Sequence, residues 1–334
     1  MTDRATEIDR FLRATEWLGA ERVALAGDAS SRQYLRLTTQ SGDRAVLMDD
    51  PTQDTVRFAQ VAEHLTDLGF SAPRILAHEE GVELMLLEDL GDAIVAHVCQ
   101  SSPGLEPEIY DAIVDTLVDL HQHPAPQWAP RFTSAVMADQ ATLAVTAYAR
   151  TTEPKSAAIL RDTLNAALQA LDATPSVLLL RDFHAENLIW LPSRTGSARI
   201  GLLDFQDAVA GPGAYDLASL IADARRDVAP ELADRLIARY ADATGQDRDA
   251  CVRDVAILRV QRTLRILGVF ARLSTRDGKA TYIDLIPRVW GQLQTALADY
   301  GDHGLTDTVS ALLPKPTQSF LSDLRTSCGT LPTP

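Results

Sequence analysis

Lysine is nearly missing from this 334-residue chain: it occurs only at 155, 279 and 315, against 28 arginines. The first 150 residues contain none, so a positive charge needed there must come from a guanidinium, a planar and permanently charged group rather than a flexible ammonium. Cysteine is equally sparse. Cys99, Cys251 and Cys328 are odd in number, far apart and outside any Cys-x-x-Cys pair, which argues against a disulfide framework or a zinc knuckle and fits buried thiols in a reducing compartment. No apolar run approaches the roughly 20 residues of a membrane span. The opening Met-Thr-Asp-Arg-Ala-Thr-Glu carries both charge signs with no apolar segment behind it, so a cytoplasmic protein without a membrane partner is expected. Positive charge is in deficit overall, 31 basic against 46 acidic residues for a net −15, and nucleic acid is therefore not an expected partner.

What is present suits a globular chain, with 46% hydrophobic and 23% charged residues. Its length is about twice the ~150-residue prior for one domain, which calls for two lobes or one large domain. Helical periodicity over Thr6–Leu18 is followed by short strand candidates at 22–26, 33–37 and 45–48, then a helix over 54–68 and strands at 74–78 and 84–87. Beyond Gly91 the patterning is helical: 107–122, 136–149, 156–171, 214–224, 230–243, 252–273 and 283–300. Two apolar runs, 177–180 and 200–203, read as buried strands within it. The expectation is an α+β bilobal fold, with a small mixed-sheet lobe over residues 1–90 and a larger, mostly helical lobe over 91–334. The tail from Asp302, rich in proline and threonine, either packs on the large lobe or stays mobile.

The polar residues that flank those two runs carry the chemistry. Arg181-Asp182-Phe183-His184-Ala185-Glu186-Asn187 follows the first with Asp-x-x-x-x-Asn spacing, and Leu202-Leu203-Asp204-Phe205-Gln206 ends the second on a carboxylate. An isolated Asp-x-x-x-x-Asn is common and often only caps a loop. In this order the two match a kinase catalytic loop followed by a metal-binding Asp, with Leu180 where protein kinases have His and Gln206 where they have Gly. Phosphoryl transfer needs a carboxylate to orient and deprotonate the attacking hydroxyl, and hard oxygen ligands to hold Mg²⁺.

Further segments extend the match. Asp28-Ala29-Ser30-Ser31-Arg32, Leu87-Glu88-Asp89-Leu90-Gly91, Leu120-His121, Ala210-Gly211-Pro212 and Tyr215-Asp216-Leu217, with the two constellations above, resemble the aminoglycoside phosphotransferase and choline kinase-like family over nearly the whole chain. Within it the sequence looks most like the kinases that act on the anomeric hydroxyl of N-acetylmuramate and N-acetylglucosamine, through Val46-Leu47-Met48-Asp49, Asp204-Phe205-Gln206-Asp207-Ala208 and Ala271-Arg272-Leu273 before Arg276-Asp277-Gly278-Lys279. The resemblance implies a kinase-like fold with the site between its lobes and ATP and Mg²⁺ as cofactors. It also implies Asp182 as catalytic base, Asn187 and Asp204 as metal ligands, and an adenine-contacting hinge at Glu88, Asp89 and Leu90. Ser30, Ser31 and Arg32 fall where the family covers the nucleotide phosphates, and Asp216 where it braces the catalytic loop. An amino sugar is the implied acceptor and cell-wall sugar recycling the setting. An aminoglycoside phosphotransferase and a non-catalytic nucleotide-binding pseudokinase are the alternatives.

One departure stands out. Met48 occupies the strand position where the family typically carries a phosphate-pairing lysine, and Arg32, Arg36 and Arg44 are the candidate replacements, with Glu63 as a candidate partner. His121 and His123 form a His-x-His pair at a helix end with no visible third zinc ligand. Arg259, Arg262, Arg265 and Arg272 lie along one helix, a basic stripe that reads either as solvated ion pairs or as a wall for an anionic acceptor, with Arg262 and Arg265 meeting a lactyl carboxylate.

Overall fold

The computed structural model describes residues 4–25, 32–50 and 55–330. The order begins with α1 (Arg4–Arg13), β1 (Glu21–Ala24), β2 (Gln33–Thr38), β3 (Arg44–Asp49), α2 (Thr55–Asp67), β4 (Ile75–Glu79), β5 (Leu84–Glu88), α3 (Val95–Ser101) and α4 (Glu106–His121). It continues with α5 (Ser134–Ala141), a π-helical turn (Ala144–Tyr148), α6 (Pro154–Leu168), β6 (Ser176–Leu179), β7 (Leu188–Trp190), β8 (Ile200–Leu202) and β9 (Val209–Pro212). Last come α7 (Ala214–Ile221), α8 (Pro230–Thr244), α9 (Arg248–Thr275), α10 (Ile286–Tyr300), α11 (His303–Leu312) and α12 (Gln318–Thr326). Among the described residues no helix is long and apolar enough to cross a membrane.

Packing divides the chain into two compact units, residues 1–116 with 186–207 and residues 117–185 with 208–334. The division differs from the change expected at residue 90. The β7–β8 hairpin, α3 and the first part of α4 pack with the sheet, tied by Leu202 N donating to the Ser71 carbonyl (2.9 Å) and Trp190 N to that of Ala93 (2.7 Å).

In the first unit the strands form an antiparallel sheet in the order β1-β2-β3-β5-β4. Strand alternation gives it two faces. Leu37, Ala45, Leu47, Leu84 and Leu86 pack on Ile8, Phe11 and Leu12 of α1 and on Trp17, each fully buried Leu or Phe contributing about 1.5–3 kcal/mol. Tyr34, Arg36, Met48 and Met85 have the opposite parity, and the register pairs Met48 with both Tyr34 and Met85.

The second unit is built around α9, of whose 28 residues 17 are buried, so this helix is covered on most sides. Asp247 caps its start by accepting from Ala250 N (2.9 Å). The helix expected over 136–149 breaks into α5 and the π-helical turn, beside which α9 passes very closely at Gly268. The tail is packed: Phe320 of α12 meets the Tyr148 ring at 4.9 Å, Tyr148 donates its hydroxyl to the Pro314 carbonyl (2.8 Å), and Leu321 and Leu324 are buried.

A Cβ at Gly268 would lie 2.3 Å from the backbone carbon of Leu143. Gly268→Ala is therefore expected to lower stability by about 2 kcal/mol or more, read as a lower urea midpoint at unchanged m value.

Candidate active site

In the first unit, hairpin register sets the site. Leu188 pairs with Leu202 and Leu203 N donates to the Asn187 carbonyl (3.0 Å), so the residue before β7 lies beside the turn that follows β8. Asp204 occupies that turn in the left-handed region (φ 56°), a conformation that costs a non-glycine residue about 1–3 kcal/mol and tends to mark functional sites. Its Oδ2 accepts from the Asn187 amide (3.4 Å) and its Oδ1 from that of Gln206 (2.9 Å). The carboxylate is 48% exposed. Asn187 and Asp204 thus offer two hard oxygen donors, a set that suits Mg²⁺ with its other positions filled by phosphate oxygens and water. Among the described residues no group of three or more His, Cys, Asp or Glu could hold a metal ion.

Of the three arginine candidates, only Arg32 is placed at Asp204. It is buried, donates Nε to Asp50 Oδ2 (2.6 Å) and holds Nη1 3.8 Å from Asp204 Oδ1. Burial pushes the phenol of neighbouring Tyr34 up, with Arg32 opposing. Arg36 is engaged by Asp89 (2.7 Å) and Asp92 (2.6 Å), and Arg44 is exposed near Asp92 (3.9 Å). Glu63 is exposed on α2. Ser30 and Ser31 lie outside the described residues.

The hinge side chains are engaged within the fold. Glu88 accepts from Arg194 (2.8 Å) and Arg74 (3.1 Å), Asp89 Oδ1 accepts from Gly91 N (2.8 Å), and Leu90 approaches Gly201. Any role of Glu88, Asp89 and Leu90 with a nucleotide base therefore falls to their backbone.

In the second unit, β6 pairs with β9 and delivers Leu180, Arg181 and Asp182 at its end. Arg181 is left-handed (φ 67°), and its amide and carbonyl are both tied. The fully buried Asp216 of α7 accepts from Leu180 N (2.6 Å) and Arg181 N (2.9 Å), while Ser219, one turn on, donates its hydroxyl to the Arg181 carbonyl (3.1 Å). Burial pushes the Asp216 carboxyl up to about 7, the two backbone donors pulling the other way. Burial also opposes the charge on Asp182, but the Arg265 and Arg262 guanidiniums, then His184 and Arg181, more than offset it and hold its carboxyl below the usual range.

The arginine stripe does not act as one surface. Arg259 pairs with Asp299 (2.7 Å) and Arg272 is exposed. Arg262, expected at an acceptor carboxylate, is buried, donates to the Arg181 carbonyl (3.2 Å) and lies 3.7 Å from Asp182 Oδ1. In the histidine pair, His121 Nδ1 hydrogen-bonds the Tyr240 hydroxyl (2.8 Å). A buried group that sequence reasoning missed is Asp223, which faces His184; only its acidic identity could have flagged it.

The pattern of the phosphotransferase enzyme family matches residues 21–251. The chain is 34% identical to an N-acetylmuramate/N-acetylglucosamine kinase of Caulobacter vibrioides, over 86% of this chain and 91% of that protein. It is 30% identical to a protein of the same name in Pseudomonas aeruginosa, over 84% of each. Among solved structures, a choline/ethanolamine kinase family protein of Mesorhizobium loti aligns with TM-score 0.63 at 18% identity, covering 93% of this chain and 99% of that one. A choline kinase of Streptococcus pneumoniae aligns with TM-score 0.62 at 13% identity, covering 88% and 100%. The fold is thus the bilobal kinase-like one, and the chain belongs to the phosphotransferase enzyme family.

His184 is buried, and that burial, with Arg262 and Arg225 against it and Asp223 for it, lowers its imidazole to about 4. A depressed histidine contributes stability that is complete above its unfolded pKa near 6.5 and lost as pH falls toward the folded value. The stability difference between wild type and His184→Gln should shrink by about 1–2 kcal/mol between pH 6.5 and 5, measured by urea titration. The comparison cancels Asp216, whose raised pKa acts in the opposite direction over the same window.

Proposed function

We propose that this phosphotransferase uses ATP and Mg²⁺ to phosphorylate the anomeric hydroxyl of N-acetylmuramate or N-acetylglucosamine, giving a sugar 1-phosphate in the recycling of cell-wall sugars. The observation that carries the reaction is the placement of Asp182 on a turn whose backbone is tied by Asp216 and Ser219, with arginines that keep its carboxylate ionised. The names of the Caulobacter and Pseudomonas relatives support the acceptor. Asp204 and Asn187 would hold Mg²⁺, which neutralises phosphate charge when bound. Arg32 stands in for the lysine absent at Met48, reaching the phosphates alongside Ser30 and Ser31. The backbone of Glu88, Asp89 and Leu90 meets the base. Asp182 orients the hemiacetal hydroxyl and accepts its proton late in the transfer, an easier task than with an ordinary alcohol because that hydroxyl is more acidic. Arg265, part-exposed on α9, is the remaining candidate for a lactyl carboxylate.

The main test is phosphorus NMR of the product formed from each sugar and ATP. An anomeric phosphate supports the assignment, whereas a 6-phosphate, or turnover of aminoglycosides with neither sugar consumed, refutes it. Asp182→Asn should lower kcat by about 10² or more, since general-base catalysis contributes ~10²–10⁴, while nucleotide affinity stays near wild type. Unaltered turnover would remove Asp182 from the mechanism. Asp204→Ala should abolish the Mg²⁺ dependence of nucleotide affinity, seen by calorimetry with and without the ion. Arg32→Ala should raise the KM for ATP far more than Arg36→Ala or Arg44→Ala, and three equal, small effects would dismiss the substitution of arginine for lysine.

A further inference from the structure

A guanidinium buried to 3% exposure requires a compensating partner, because desolvating a charge costs several kcal/mol. Arg262 has the Arg181 carbonyl at 3.2 Å and Asp182 Oδ1 at 3.7 Å. Its Nε has no hydrogen-bond partner among the described residues, so the side chain is not held by a wider network at that atom. The position on α9 matters as much as the distances, since the helix is anchored on most sides and cannot easily shift to follow a moving loop.

We infer that Arg262 is the positioning residue of the base: it clamps the left-handed turn from the side opposite its amides and sets the direction in which the Asp182 carboxylate faces. The inference rests on the reading of Asp182 as the base. Asp216 takes the two amides of the turn and Ser219 one lone pair of the Arg181 carbonyl, but neither contacts the Asp182 side chain through any of these bonds. Arg262 joins the backbone clamp to the carboxylate, meeting the Arg181 carbonyl and Asp182 Oδ1 with one guanidinium. The charged and titratable groups facing Asp182 are Arg265 and Arg262 from α9, His184 and Arg181 from its own loop, and Asp216 from α7. Two of the cations sit on one rigid helix, so the carboxylate stays ionised without needing a mobile loop to close. An acceptor carboxylate would have to compete with both existing partners for the Arg262 guanidinium, which is why Arg262 is assigned to the base and not to the sugar.

The test compares wild type with Arg262→Met, which removes the charge at similar length, and Arg262→Lys, which keeps the charge without the planar fork. Folding of each variant is checked by its melting transition, and the Lys variant carries the test if the Met variant does not fold. Expected for Arg262→Met is a kcat lower by about 10- to 100-fold with N-acetylmuramate and N-acetylglucosamine alike, both KM values changed by less than about twofold, and the acid limb of the kcat profile raised by about one pH unit. Arg262→Lys should restore the acid limb more fully than it restores kcat. An independent reading needs no acceptor: the Asp182 carboxyl, identified by carbon-13 NMR as the aspartate signal lost in Asp182→Asn, should titrate higher in Arg262→Met than in wild type. If neither sugar is a substrate, this titration still decides the inference, so its failure and that of the proposed acceptor are separable. An unmoved titration, whether or not kcat falls, would overturn the positioning role. So would a loss confined to the KM for N-acetylmuramate, which would return Arg262 to the acceptor.

Discussion

Asp216 is the group on which the site-bearing part of the second unit hangs. A strand that ends in a left-handed arginine is unstable by itself, because the residue gives up about 1–3 kcal/mol in steric strain and turns two amides away from any sheet partner. Asp216 accepts both, at 2.6 and 2.9 Å, and its removal would leave two buried donors unsatisfied at about 1–3 kcal/mol each. Because α7 begins only two residues before Asp216 and directly after β9, the strand paired with β6, the carboxylate and the turn it caps are delivered by neighbouring parts of one small motif. Ser219 follows at helical spacing on the same face, and the turn is closed on its amide and carbonyl sides.

Electrostatics then follow an arginine logic. In an acidic chain with almost no lysine, a buried cation is an arginine, and a guanidinium tolerates burial better than an ammonium because it is more weakly hydrated and can pair through several donors. Arg32 and Arg262 are both buried, and each lies within 4 Å of a carboxylate singled out for catalysis, Asp204 and Asp182 respectively. Arg36 of β2 and Arg44 of β3 are turned toward Asp89 and Asp92 instead. Charge in the sheet is therefore sorted by position, and Met48 remains an apolar core residue between Tyr34 and Met85.

Much of this was legible in the chain. In the strands at 33–38, 44–49 and 84–88 the residues that pack on α1, Leu37, Ala45, Leu47, Leu84 and Leu86, recur at period two, and the helices of the second unit carry apolar stripes, so local pattern and tertiary role agree there. Among the elements that escaped, β7 and β9, three and four residues long, are too short to alternate visibly, α3 spans seven residues, and α11 and α12 lie in the tail rich in proline and threonine. The break of the 136–149 helix into α5 and a π-helical turn has no local sign; at that break Leu143 packs against Gly268, more than 120 residues later.

Residue order alone determined the class of chemistry. Asp182, Asn187 and Asp204 flank apolar runs in the order of a kinase catalytic loop and the metal-binding Asp that follows it, and that order is read without knowing the surrounding packing. The same reading placed four arginines on one helix but could not separate them. Their division into Arg259 for Asp299, Arg262 for the Asp182 turn and an exposed Arg272 depends on which neighbouring elements cover each face of α9. The choice of Arg32 over Arg36 and Arg44 depends likewise on where Asp50, Asp89 and Asp204 fall in space. Side-chain periodicity tells which way a residue points; only the folded chain decides what it meets there, because charge pairing acts over a few ångströms between residues that the sequence keeps far apart.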